Sequence, residues 1–326
     1  MKRRNFLRII IFILIFLGIN HVLGDLFVGW SRFGSEYGIS HREFQKRQEQ
    51  VTFIALGDSH PQKAVMVSKI EDAYNLSSSA ESYIHTYYIM KYYLEEGDFH
   101  PQVALVEIDP HGFLSAKLEG LFRRDPAYWE DYVPYLKVEN ETLGDKVATY
   151  LKGEFPLFGG FQVFLTEYWP RVDLAPEPSV LGFVAKDGDI SEYSEGERQR
   201  DGAARAGSHF ENQDYMDAAV VEYFQRLIDL LNEYEVSVVL VWYPTSNYYY
   251  ESVGEYISVE THLGRVEDLV EESQVDAVLD YHDLFFDHPE YFTDPDHLNI
   301  IGASTMTDRL VEDLTSAGLL PVTPSN

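Results

Sequence analysis

Apolar positions along the chain fall into three kinds of pattern. From residue 5 to residue 23 they are nearly continuous, with Lys2, Arg3 and Arg4 before them, Arg8 close to the start, and Asn20 and His21 near the far end. That is about the 20 residues a helix needs to cross a bilayer. Farther on, short β-branched runs recur at 51–56, 103–108 and 236–242, with a weaker one at 277–281. Short, unbroken apolar runs suit strands buried on both faces, as in a parallel sheet. Between them the spacing lengthens to a helical period. Val220, Phe224, Leu227 and Leu231 share one face, and Ser79 stands before Tyr83, Ile84, Tyr87, Tyr88 and Met90 as an N-cap serine would. Asn299 can cap a last helix faced by Met306, Leu310 and Leu314.

Strands alternating with helices predict an α/β fold, a mostly parallel sheet with helices on both faces. Sites in such sheets lie at the carboxyl ends of the strands. Residues 115–215 break the alternation with aromatic, Gly, Pro and charged residues, and 192–207 is especially polar. This stretch reads as an insertion, either a lid or substrate platform near the active edge or a decoration without chemical use. The chain divides into a tip and transmembrane anchor at 1–30, a juxtamembrane linker at 31–50, and an α/β domain at 51–326.

Basic residues ahead of the first apolar run place the N-terminus in the cytoplasm and the bulk of the chain in the periplasm or outside the cell. Phe27 and Trp30 suit the membrane interface. A signal peptide cleaved after Val22-Leu23-Gly24 is the competing reading, and it exports the same domain.

The 326 residues include no cysteine, which removes disulfides and thiolate chemistry, and 54 acidic side chains outnumber 25 basic ones for a net charge of −29. The first fifty residues carry eight basic and four acidic side chains, so the excess belongs to the exported part. Phosphate backbones are bound by clustered Lys and Arg, so nucleic acid is excluded as a partner. A surface this acidic suits either a high-salt medium or an ordinary acidic domain. An apolar share of 45% excludes global disorder.

Candidate chemistry lies at the two ends of the domain. The first strand runs into Gly57-Asp58-Ser59-His60, which places Ser59 in a turn where backbone N–H groups can face a reacting oxygen. Near the C-terminus stands Asp294-Pro295-Asp296-His297-Leu298-Asn299. A serine hydroxyl needs a neutral imidazole to take its proton, and the imidazole needs a carboxylate to hold its tautomer. Ser59 is therefore the expected nucleophile, His297 the base and Asp294 the orienting group, without a cofactor or metal. Asp58, Ser78, Ser79, Asn247 and Tyr249 are candidates for substrate binding or the oxyanion site. His60 reads as a loop histidine, since neighbours on an extended strand face opposite ways. Glu107, Asp109 and His111 read either as substrate ligands or as a satisfied hydrogen-bond network. Trp242 and the Tyr248–Tyr250 run offer aromatic faces for sugars or for lid packing.

The two motifs together resemble the SGNH (GDSL-like) hydrolase superfamily. Gly57-Asp58-Ser59 matches the nucleophile block after the first strand, and Asp294-Pro295-Asp296-His297 matches the Asp-x-x-His block. The continuation His297-Leu298-Asn299 with Gly302 resembles the membrane-anchored branch that includes alginate O-acetylation proteins and the D-alanine transfer protein. The resemblance implies a flavodoxin-like three-layer sandwich and an esterase or O-acyltransferase working on a cell-surface glycan or acyl donor, with a membrane-bound O-acyltransferase as a possible partner. The superfamily's Gly and Asn oxyanion blocks are not evident. Backbone N–H groups of Ser59 and of the loop at Ser78 and Ser79 are the expected donors instead. Their absence favours a second reading, a non-catalytic accessory protein. A third, a metal-dependent phosphoesterase, takes Asp58-x-His60 with Asp280, His282, Asp283, Asp287 and His288 as ligands.

Overall fold

A computed structural model of the chain describes residues 2–34, 36–117, 144, 179–270 and 274–321. It divides into two units, one of Met1–Ile39 with Leu121–Glu177 and one of Ser40–Gly120 with Pro178–Asn326. The first unit's described part is essentially the helix α1 (Lys2–Gly34). Its segment Asn5–Leu26 has a mean hydropathy of 2.4 and is almost wholly exposed, and it is long and apolar enough to cross a membrane. The side chains of Phe27 and Trp30 lie outside the described residues, as does most of the expected insertion, 118–143 and 145–178.

Part of the expected linker is a helix, α2 (Glu36–Gln45). Its Phe44 is fully buried, with its ring 4.7–5.2 Å from those of Tyr74, Tyr93 and Phe99. The domain core therefore begins before residue 51.

The second unit is α/β. Five parallel strands, β1 (Phe53–Leu56), β2 (Ala73–Asn75), β3 (Val103–Glu107), β6 (Ser237–Trp242) and β7 (Ala277–Asp280), lie in the order β2-β1-β3-β6-β7. Hairpin β4 (Ser179–Val180) and β5 (Phe183–Val184) stands apart, as does the pair β8 (Phe292–Asp294) and β9 (His297–Leu298). The helices that matter for the site are α3 (Ser59–Ala64), α4 (Tyr83–Glu96), α5 (Glu195–Phe210), α6 (Ala218–Glu233), α7 (Asn247–Val253), α8 (Val259–Val270) and α9 (Ile300–Ser316).

Alternate residues of each central strand are buried on opposite faces. Phe53, Ala55, Val103, Leu105, Val239 and Val241 pack with Ala303, Met306, Leu310 and Leu314 of α9. Ile54, Leu56, Ala104, Val106, Val238 and Leu240 are equally buried, and α6 packs against both β6 and α4. Two covered faces explain the unbroken apolar runs. Asn299 caps α9 as expected, its side chain accepting the Ile301 and Gly302 N–H groups at 3.0 Å. Helix α4 begins one turn later than expected, with Ser82 at the N-cap position and its hydroxyl 3.0 Å from His85 Nδ1, while Ser79 Oγ donates to Gln62 at 2.9 Å.

The buried ionisable groups fix a pH dependence. Burial pushes His41 down to about 3 and His262 to about 4, whereas burial raises Glu81 well above its usual range. Below pH 6.5 the unfolded chain protonates both histidines and the native chain does not, so stability falls on acidification by about 1.4 kcal/mol per pH unit for each. Glu81 acts in the opposite sense: its contribution is full below its unfolded value and fades as the pH rises through the folded one. The two histidines set the direction for these three groups, a loss of stability on acidification below pH 6.5 that Glu81 offsets in part. Urea unfolding of the detergent-solubilised protein across that range checks it, and His41→Gln should make the limb shallower.

Candidate active site

The site is built where β1 ends. Gly57 turns the chain at φ +142°, a conformation open to glycine. A Cβ there would stand 2.4 Å from Glu107 Oε2 and 2.8 Å from Pro61 Cγ. Gly57→Ala should therefore displace the following turn, costing about 1–3 kcal/mol of stability and most of the activity; thermal unfolding and ester turnover measure the two effects. Asp58 then caps α3, its Oδ1 accepting the His60 N–H at 3.0 Å. Ser59 becomes the first residue of that helix, with its hydroxyl facing the C-terminal motif.

Ser59 Oγ lies 2.8 Å from His297 Nε2. Strands β8 and β9 pair antiparallel, so the short turn through Pro295 and Asp296 returns the chain beside Asp294. Both Asp294 carboxylate oxygens lie 2.9 Å from His297 Nδ1, and Oδ1 also accepts the His297 N–H at 3.0 Å. The three residues the sequence singles out thus form one continuous hydrogen-bonded chain. Thr307 of α9 holds the two halves together: its Oγ1 accepts the Met66 N–H at 2.9 Å and donates to Ala64 O at 3.1 Å.

The other sequence candidates divide. Asp58 is buried and faces inward, its Oδ2 2.7 Å from both His111 Nε2 and Lys117 Nζ, so it supports the turn and does not face substrate. The Ser78 N–H is committed to Gly57 O at 3.1 Å, and Ser79 faces Gln62. The bond to Gly57 takes up one of the expected oxyanion donors, the Ser78 N–H. Asn75 donates to Pro61 O at 2.7 Å, a structural bond that fixes the end of α3. Asn247 opens α7 and makes no hydrogen bond to a site residue among the described ones. Tyr249 is buried with its hydroxyl 2.7 Å from His209 Nδ1. Among the described residues, no hydrogen bond occupies the Ser59 N–H.

His60 is no loop histidine. It lies on helix α3, where strand alternation does not apply, and points into the protein between Asp109 Oδ2, in direct contact with its Nδ1, and Asp296 Oδ2, 3.5 Å from its Nε2. Burial disfavours its charge, yet Asp109 and Asp296 hold its pKa well above the ordinary value. Asp296 is also buried, and Lys63, His60 and His297 surround it. Arg205 Nε donates to both its oxygens at 2.8–2.9 Å. Burial opposes its charge as well, but His297, His60 and Arg205 keep it well below the carboxylate range. Asp296 Oδ1 stands 3.5 Å from His297 Nδ1, so Asp294 is the closer of the two carboxylates.

Glu107, Asp109 and His111 form a buried network. Glu107 Oε2 accepts the Asp58 N–H at 2.6 Å, and Asp109 Oδ1 accepts the Tyr243 N–H at 2.8 Å. The acidic stretch after β7 stays separate: His282 stacks on Trp242 at 4.4 Å and bonds Asp280, away from Asp58 and His60.

Arg205 and His209 escape a sequence reading. Both lie on α5, inside the expected insertion, and His209 stacks on His111 at 5.2 Å. A usable signal does exist, since Ser194 and Glu197 form a capping box that marks the start of α5.

No protein-family model matches the chain, and no curated protein matches it either.

Proposed function

We propose that this protein is a membrane-anchored, extracytoplasmic serine esterase or O-acyltransferase of the SGNH type, with a flavodoxin-like core. The observation that carries the reading is the chain of contacts Ser59–His297–Asp294, at 2.8 and 2.9 Å. The strand order β2-β1-β3-β6-β7 supports the flavodoxin-like assignment, with Ser59 at the carboxyl end of β1, where the order reverses.

In the first half reaction Ser59 Oγ bonds to the acyl carbonyl carbon while its proton passes to His297 Nε2. Asp294 holds the imidazole tautomer and stabilises the imidazolium. The Ser59 N–H is placed to donate to the developing oxyanion. His297 returns the proton to the leaving alkoxide, and an acyl-Ser59 ester remains. Water or a glycan hydroxyl then gives its proton to His297 and takes the acyl group, which restores Ser59. The positive-inside arrangement of Lys2, Arg3, Arg4 and Arg8 supports an exported domain, which would meet its acyl donor or glycan outside the cytoplasm.

One observation favours an accessory role instead: the Ser78 N–H and the Asn75 amide are both committed elsewhere, to Gly57 O and Pro61 O. Such a protein would hand substrate to a membrane-bound O-acyltransferase. Turnover of an aryl acetate by the detergent-solubilised protein separates the two. Hydrolysis that a sugar acceptor diverts to acetyl-sugar supports the transferase, hydrolysis alone supports the esterase, and no turnover supports the accessory role.

A further inference from the structure

Behind the Ser59 turn, away from the hydroxyl that meets His297, four side chains converge on one point. His60, Glu107, Asp109 and His111 each offer a donor atom, all within 4.8 Å of one another, and all four residues are buried. Two bonds of about 2.1 Å to a single ion hold their ligand atoms about 3–4 Å apart, so His60 Nδ1 and Asp109 Oδ2, which are in direct contact, part by about an ångström to admit a cation while the other atoms already stand at a suitable spread. Two further observations point to a ligand. Glu107 Oε1 is buried without a hydrogen-bond partner, the nearby His111 Nε2 standing 3.5 Å off. A chamber of about 20 Å³ is lined by His60, Asp109 and His111, room for one water molecule or one ion.

The surroundings fit a metal in other respects. His60 directs its second ring nitrogen at Asp296, the carboxylate–histidine arrangement that orients a metal-bound imidazole. Asp109 is fixed through its other oxygen by the Tyr243 N–H, and Glu107 by the Asp58 N–H. The cluster and its immediate neighbours hold four buried carboxylates, Asp58, Glu107, Asp109 and Asp296, against two permanent cations, Lys117 and Arg205. An entry path exists as well. The chamber shares Pro110, Trp242, Tyr250 and Val253 with an open groove of about 470 Å³ between α7 and α8.

We propose that His60, Glu107, Asp109 and His111 bind one divalent first-row transition ion, of the Zn²⁺ or Mn²⁺ kind, beneath the Ser59 turn. Two imidazoles with two carboxylates select such ions over Ca²⁺ and Mg²⁺, which prefer oxygen alone. The ion's task is to clamp β3 to the turn through Glu107, which holds the Asp58 N–H and so the start of α3. The site is separate from the Ser59–His297–Asp294 chain and does not depend on its chemistry.

The test uses the full chain in detergent, stripped with a chelator and titrated calorimetrically with Zn²⁺, Mn²⁺ or Mg²⁺ alone. One saturable site for Zn²⁺ or Mn²⁺, a raised melting temperature and no comparable Mg²⁺ site are expected. Glu107→Gln and His111→Ala should each weaken binding at least about 100-fold. The double substitution Asp283→Asn with His288→Ala, at exposed positions, should leave it unchanged. Absence of a site in the unsubstituted protein overturns the proposal, as does binding that survives Glu107→Gln in a variant with an unchanged circular dichroism spectrum. Loss of binding only in the Asp283/His288 variant also overturns it, by placing the ion on the surface. Fluorophosphonate labelling of Ser59 in the stripped protein reads the esterase proposal independently, so either can fail alone.

Discussion

Alanine at Ser59 is expected to lower ester turnover by at least about 10⁴-fold, and alanine at His297 by a similar factor. The reason is the single 2.8 Å contact between Ser59 Oγ and His297 Nε2, through which the only proposed proton transfer runs. Without His297 the hydroxyl has no base within reach. His60, whose ring centroid is 5.3 Å from that of His297, cannot substitute, because its two ring nitrogens face Asp109 and Asp296 and not Ser59. Because the two residues act as one unit, the double variant should be no slower than the worse single one. Melting temperatures near that of the unsubstituted protein should accompany both losses, since Ser59 is half-buried and its hydroxyl supports no other described contact. Steady-state turnover of an aryl acetate, with thermal unfolding as the control, gives both numbers.

The second large effect distinguishes Asp294 from Asp296. Asp294→Asn should cut kcat by about 10³–10⁴-fold at little cost in stability. An amide there presents an N–H to His297 Nδ1 and turns the ring to the tautomer that cannot accept the Ser59 proton. Asp294 is half exposed, its side chain retaining 46% of its free surface, so water compensates the lost charge. Asp296→Asn should do the reverse. Its carboxylate is fully buried and shared by Arg205 and His60, and removing its charge leaves the buried His60 and the partly exposed Arg205 short of a partner. A loss of about 3–5 kcal/mol is expected on that ground. Kinetics and urea unfolding of the two asparagine variants, measured side by side, decide which carboxylate serves His297.

Much of this arrangement is legible in the sequence because its parts are local. The runs that become β1, β3 and β6 are nearly continuous and apolar, the β7 run is a weaker one, and Asn299 caps α9 through its own side chain. Strand β2 is only three residues long, and its neighbours carry no period to reveal it. Helix α5 is hidden for a different reason: only Gly202, Ala206 and Phe210 are buried on it, too sparse a face to stand out among charges. The site divides the same way. Ser59, Asp294 and His297 announce themselves by type and spacing, whereas Arg205, His209 and Lys117 reach the site only through tertiary packing. The misreading of His60 shows how one boundary changes a prediction. Extending strand geometry past Leu56 sends His60 outward, while starting a helix at Ser59 sends it into the carboxylates.

The most direct test of the central claim is covalent. The detergent-solubilised protein is incubated with a fluorophosphonate, digested, and the adduct located by mass spectrometry. A single adduct on Ser59, slowed at least about 100-fold in His297→Ala and absent in Ser59→Ala, is the predicted result. An adduct that persists in Ser59→Ala, or no adduct under conditions that label a serine esterase to completion, would contradict it.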